Sequence, residues 1–300
     1  MSYLFKLSKR IVASWYTVAA LLPLAACGTD VPTQVLLTPV SSSSVRYTIP
    51  STTNRGKITA PIVPPSAAAE PVIASGTTLW HDTFDAPDAG IANYAVMQGG
   101  FLRADPLAGV GGTGALRMDW PKSTTCSDEW TGLDHAIPGA PTEIYIQFSV
   151  KYQAGFQFDW RNAEASSCAG NAKKLFLVWS GDNRSRFIYV AEDHDLRAAS
   201  DYEDALGTSR SQNSSSPISL EQYADGNWHR VTFHIKQSSS ITATDGFLYG
   251  WIDGVQRWSR PNWASGSVGG WVEFKMPSTF NQGSPANQSE WIDDLTIWRP

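Results

Sequence analysis

Positive charge is scarce in this chain. Its 300 residues hold 23 Lys and Arg against 28 Asp and Glu, and charged residues make up only 17%. Three of the basic residues, Lys6, Lys9 and Arg10, fall within the first 26 positions, so the remainder has 20 basic against 28 acidic residues, a net −8. Phosphate recognition needs a concentrated basic surface, and its lack excludes a nucleic-acid partner. Sustained helical periodicity is missing as well: only Asp201–Leu206 and Leu220–Tyr223 read as short helical turns. Cysteine occurs three times. What is plentiful points to an all-β domain. Gly 24, Pro 18 and many Ser, Thr and Asn supply turns, while 42% hydrophobic content with 13 Trp supplies a core.

Residues 1–26 open with Lys6, Lys9 and Arg10, continue through the apolar run Ile11 to Leu22 and close on small residues, the pattern of an export signal. Leu24-Ala25-Ala26-Cys27 resembles the bacterial lipobox, which implies acylation at Cys27, a lipid anchor to the cell envelope and, with Gly28 following, the outer membrane where two membranes are present. The alternative is a cleaved signal with an incidental Cys. Residues 27–76 are rich in Pro, Ser, Thr and Ala with no period of 2 or 3.6, and are expected to form a flexible tether. In an oxidising compartment Cys126 and Cys168 form one possible disulfide pair, with free thiols as the alternative.

From Thr77 to Pro300 the pattern is short alternating runs. Over Glu143–Tyr152, Ile144, Ile146, Phe148 and Val150 share one face while Tyr145, Gln147, Ser149 and Lys151 share the other. Over Trp228–Gln237, Val231, Phe233 and Ile235 alternate with Arg230, Thr232, His234 and Lys236. Further strands are expected at Leu79–Phe84, Ala115–Trp120, Lys174–Trp179, Arg186–Ala191, Phe247–Asp253, Trp271–Met276 and Trp291–Trp298, and they imply two packed antiparallel sheets. The Ser- and Asp-rich stretch Asp193–Pro217 reads as a loop over a sheet edge or cleft.

The order Gly226-Asn227-Trp228-His229, Asp245-Gly246, Trp251-Ile252-Asp253-Gly254 and Trp291-Ile292-Asp293-Asp294 resembles the concanavalin-A-like jelly rolls of lectins, glucanases and lyases. The likeness spans most of residues 77–300 and implies a jelly-roll β-sandwich. A narrower likeness involves Tyr152, Phe156, Asp159, Trp160, Lys174 and Leu175, which resemble a segment of polysaccharide lyase family fourteen, the alginate-lyase-like enzymes. Asn171-Ala172-Lys173 stands where that family has glycines. The resemblance implies an active-site lysine at Lys174 and an arginine at Arg186.

Retaining glucanases of this fold place carboxylates at period 2 along a Glu-x-Asp-x-Glu strand, and no such strand occurs, which disfavours hydrolysis. A lyase instead needs donors for a uronate carboxylate, a base for the C5 proton and an acid for the leaving oxygen. Lys174, Arg186 and Gln147 are candidates for the first task, and His234, Tyr189 or Tyr249 for the others. Glycan contact also falls to aromatics. Phe247, Tyr249 and Trp251 share a strand face, with Trp251 assigned to the core, while Trp160, Trp258 and Trp263 lie in loop-like stretches and are expected to be exposed. Asp85 with Asp293 is a candidate structural Ca²⁺ site, and no cofactor is otherwise required. The resulting expectation is an exported lipoprotein that acts on polysaccharide, a lyase if catalytic. The alternative is a non-catalytic carbohydrate-binding or adhesive module.

Overall fold

The computed structural model describes residues 69–72, 76–97, 101–160, 172–182, 185–192, 195–203, 209–266, 268–276 and 279–300. The expected signal, Cys27 and most of the expected tether lie outside the described residues, as does Cys168 and with it the Cys126–Cys168 pairing. Met1–Ala60 and Pro61–Pro300 are separate units, and all the described residues belong to the second.

The described strands run in chain order from β1 (Thr77–Asp82) through β2 (Ala95–Met97), β3 (Leu102–Asp105), β4 (Ala115–Trp120), β5 (Glu129–Trp130), β6 (Gly132–Ala136), β7 (Glu143–Tyr152) and β8 (Ala172–Ser180). They continue as β9 (Ser185–Glu192), β10 (Asp195–Glu203), β11 (Ser209–Ser219), β12 (Trp228–Lys236), β13 (Gly246–Ile252) and β14 (Val255–Trp263). Last come β15 (Trp271–Met276), β16 (Thr279–Phe280) and β17 (Gln288–Arg299), and one helical turn, α1 (Leu220–Tyr223), separates β11 from β12. The first sheet has the order β14-β13-β12-β7-β17-β4-β3, with β1 pairing the remaining length of β17. The second has the order β11-β10-β9-β8-β15-β6-β2, with β16 joining β8 to β5. The domain is a jelly-roll sandwich of two antiparallel sheets.

Alternation decides what lies between the sheets. Ile144, Ile146, Phe148 and Val150 of β7 and Val231, Phe233 and Ile235 of β12 are buried against Phe176 and Val178 of β8 and Phe187 and Tyr189 of β9. Phe148 stacks on Phe176 with centroids 5.3 Å apart, and Phe233 meets Phe187 and Tyr189 edge-on at 5.0 Å. Each such ring is worth roughly 1.5–3 kcal/mol in burial alone. Gly250 of β13 makes room for this layer, since a Cβ there would sit 2.7 Å from the Trp258 ring and 2.8 Å from that of Phe233.

The expected exposure of three tryptophans is corrected by this packing. Trp258 and Trp263 are 1% and 0% exposed. Their polar neighbours misled because β14 is an edge strand, whose outward positions carry Arg, Ser and Asn while its inward ones carry Trp. Trp258 packs against Phe233 at 5.5 Å, and Trp263 lies parallel to Trp271 at 6.4 Å. Trp160 is also buried, its indole N–H donating to the Gly283 carbonyl at 2.9 Å. Trp251, assigned to the core, is buried but on the outward side of the first sheet, paired across strands with Thr232, while Leu248 and Ile252 of the same strand point into the core.

The stretch assigned to a loop at Asp193–Pro217 forms instead β10 and the edge strand β11 at one margin of the second sheet, and the helical turn expected from Asp201 begins inside β10. Edge strands are held by backbone hydrogen bonds, so a polar sequence suffices. Among the residues of this stretch whose burial is described, Leu196 and Ala198, two apart, are buried.

Lys173 of β8 is inside the sandwich too. It is 0% exposed, its Nζ lies 2.9 Å from Glu290 Oε1 and 4.4 Å from the Trp120 ring centre, and the Trp120 indole donates to the same Glu290 oxygen at 2.7 Å. Burial pushes the Lys173 ammonium below its usual range, and the Glu290 carboxylate opposes that shift.

Candidate functional site

The expected cluster of Lys174, Arg186, His234 and Tyr189 is divided by the sandwich. On β8 Lys173, Phe176 and Val178 point inward, which turns Lys174 outward beside its cross-strand partner Val190. Val190 packs with Leu177 and Ile188 in a cluster separate from the main core. Arg186 lies on the same outward side, its guanidinium 4.9 Å from the Trp179 ring centre. His234, Gln147 and Tyr249 occupy the outward side of the other sheet, roughly 10 Å of packed core away. Tyr189 is in that core, 0% exposed, against Phe233 and Trp258. The assignments of Lys174, Arg186 and Tyr189 to one site with His234 are therefore corrected: period 2 says that a side chain leaves the core, not on which side of the sandwich it emerges.

The outward side of the first sheet is where polar groups converge. Strand register sets them in cross-strand rows. Tyr249, His234, Tyr145 and Trp298 form one row; Trp251, Thr232, Gln147 and Thr296 form the next; Arg230, Ser149 and Asp293 form a third. Beyond the third row the ammonium of Lys151 lies 4.9 Å from the Trp228 ring and 4.6 Å from that of Trp291. From Trp228 to Lys236 this surface follows β12 for about 26 Å at ~3.3 Å per residue.

At its centre is a carboxylate cradle, already occupied by Glu70. Arg230 donates from Nε to Glu70 Oε1 at 3.0 Å and from Nη2 to Oε2 at 2.6 Å. The Thr232 hydroxyl donates to Oε1 at 2.6 Å, and the Gln147 amide reaches that oxygen at 3.4 Å and Thr232 Oγ1 at 3.0 Å. Such forked, charge-assisted contact is the geometry in which Arg recognises carboxylates. Glu70 raises the Arg230 guanidinium above its ordinary range. Among the described residues 69–72, expected as tether, it is the Glu70 side chain that hydrogen-bonds to the sheet.

The row beside the cradle holds the titratable pair. His234 Nε2 lies 2.8 Å from Glu143 Oε1, and the imidazole stacks on Tyr145 at 3.8 Å, with Phe247 edge-on at 4.5 Å and Tyr249 at 6.3 Å. Burial is the largest influence on His234 and lowers its pKa, while Glu143 works the other way. The imidazole is therefore neutral at neutral pH. With Nε2–H donated to Glu143, the lone pair is on Nδ1, the tautomer assigned from that contact. Burial, then Glu143, raises the Tyr145 phenol, which keeps its proton. Lys236 stands 3.6 Å from the other Glu143 oxygen.

Arg230, Thr232 and Tyr145 are functional candidates to which no task fell from the sequence, though each shares an alternating face with His234 or Gln147. Glu70 carried no signal at all.

Asp85 and Asp293 were the metal candidates. Asp293 accepts from Val110 N at 2.7 Å and Asp294 N at 2.8 Å, and Asp85 accepts from Gly114 N at 2.8 Å. Among the described residues no group of three or more His, Cys, Asp or Glu gathers as a metal site. Two carboxylates held by amide donors fall short of the six or more oxygens that calcium takes. Burial pushes the Asp293 carboxyl up to about 6, with the Asp294 and Asp85 charges adding to the shift.

No protein-family model matches the chain, and no curated protein does. Solved structures do. An endo-β-1,4-glucuronan lyase from the fungus Trichoderma reesei is similar at a TM-score of 0.54 with 15% identity, over 75% of this chain and 96% of that one. The alginate lyase vAL-1 from Chlorella virus is similar at 0.51 with 14% identity, over 75% of this chain and all (100%) of the other. At these identities the likeness is one of fold: the domain is a lyase-like jelly roll.

Proposed function

We propose that the outward side of the first sheet binds a uronic-acid polysaccharide and cleaves it by β-elimination. The observation that carries this reading is the juxtaposition of a built carboxylate cradle with a neutral histidine one row away. Arg230, Thr232 and Gln147 receive the uronate carboxylate in place of Glu70 and draw charge from the sugar's C5 position. Neutral His234 takes the C5 proton on Nδ1, the freed electron pair forms the C4–C5 double bond, the C4–O glycosidic bond breaks, and Tyr249 or Tyr145 returns a proton to the leaving oxygen. Both lyases of similar fold are named for uronate polymers, glucuronan and alginate, which agrees with this chemistry. Arg230 and Thr232 here take the task first assigned to Lys174 and Arg186, and Tyr249 or Tyr145 replaces Tyr189.

Incubation with glucuronan, alginate and heparin-like polymers tests the reading through the ultraviolet absorbance of the unsaturated uronate product. Release of product that disappears in H234A supports it, and silence with every polymer refutes it.

A second reading is binding without turnover. It is favoured by the edge where Lys151 lies between Trp228 and Trp291, a surface suited to the C–H face of a sugar. Polymer affinity without product in the same incubations would select it. We also propose, from sequence pattern alone, export with lipid attachment at Cys27 and a Cys126–Cys168 bridge. Mass analysis of the mature chain, with and without reduction, checks both.

A further inference from the structure

We propose that Glu70 is an internal occupant of the carboxylate cradle, displaced by the carboxylate of an incoming uronate, so that the segment ahead of the domain limits access to its own site. The inference rests on the uronate reading above and adds a competitor to it. Four donor groups on β7 and β12 converge on one carboxylate: two guanidinium N–H groups, the Thr232 hydroxyl and the Gln147 amide. The Glu70 side chain is only 11% exposed. A second carboxylate cannot share these donors at hydrogen-bond distance, so polymer and Glu70 exclude one another.

The hold on this segment is narrow. Ala69 is exposed and Val72 is 75% exposed, so the residues flanking Glu70 and Pro71 bury little apolar surface, and residues 69–72 form no strand. A segment attached through one polar group is released when that group is outcompeted. Because the competitor is on the same chain it acts at an effective concentration on the order of millimolar. Ligands that bind more weakly than that barely enter, whereas a polymer offering several carboxylates along the β12 surface does. Occupancy by Glu70 thus selects long acidic chains over single uronates.

Isothermal titration of the full-length protein with a β-1,4-linked tetraglucuronate, with cellotetraose as the neutral control, is the test. E70A and E70Q are expected to bind the tetraglucuronate about tenfold more tightly than the unaltered chain, with cellotetraose unaffected, and E70A/R230A is expected to lose the gain. Tetraglucuronate affinity unchanged or weakened in both E70A and E70Q overturns the competitor while leaving the uronate site standing. A gain that persists in E70A/R230A places the acid's effect elsewhere and also overturns it. Failure of every variant to bind tetraglucuronate refutes the uronate reading itself, and the inference with it.

Discussion

Replacing Lys173 with Met is expected to cost the domain about 3–5 kcal/mol, the penalty for leaving one charge of a buried pair without its partner. Lys173 is 0% and Glu290 1% exposed, and their 2.9 Å contact lies against the Trp120 ring. In K173M the carboxylate keeps the Trp120 indole donor but loses its counter-ion, so it must stay charged in a dry site or take up a proton. For a domain of this size, loss of each kcal/mol lowers Tm by about 2–4 °C, so a drop of about 6–20 °C at neutral pH is expected. The double variant K173M/E290Q should recover most of it, since the glutamine carbonyl still accepts from Trp120. Calorimetry with urea titration reads both quantities. K174M, the same change one residue later on the outward side, should cost less than about 1 kcal/mol. A K173M loss below about 1 kcal/mol, or a double variant no better than the single, would refute the argument that this pair is dry and mutually dependent.

Three further outcomes are expected. R230A should lower kcat/KM on glucuronan by roughly 10–100-fold, the loss of a charged hydrogen-bond pair, whereas K174A and R186A should leave it within about twofold in the same assay. The acid limb of the pH–rate profile should fall below His234's ordinary value of 6.5, because burial lowers the folded pKa and the base works only when neutral; a limb well above that value would exclude His234 as the base. Asp293 titrates at about 6 when folded against an ordinary 3.8, so the native state binds the extra proton. Its contribution to stability is full below about pH 4 and declines up to about 6. The Tm difference between wild type and D293N should change over that window and be flat above it.

Strand identity was largely legible in the sequence. β7 and β15 run from Glu143 to Tyr152 and from Trp271 to Met276, as their alternation predicts, because an inward face of Ile, Phe and Val has few other solutions. Two kinds of information were not legible. Alternation cannot say which polar faces share a surface, since that depends on which sheet each strand joins; Lys174 and His234 look equivalent along the chain and emerge on opposite sides. Nor does it reveal a polar partner supplied from far away. The cradle residues Gln147, Arg230 and Thr232 could be read as outward-facing, but Glu70 lies in a stretch whose composition predicts only a linker.

The placement of β17 also bears on how the chain reaches its native state. This strand, the last of the described set to be synthesised, lies inside the first sheet and pairs with β7, β4 and β1. Until its twelve residues arrive, β4 and β7 have nothing between them, and β1 has no partner on the sheet. Nascent fragments therefore cannot close the sandwich, and completion waits until Gln288–Arg299 has been made. That delay suits the proposed export, in which a chain is threaded through a translocation channel before it folds, and it makes loss of the final strand far more damaging than loss of the edge strand β14.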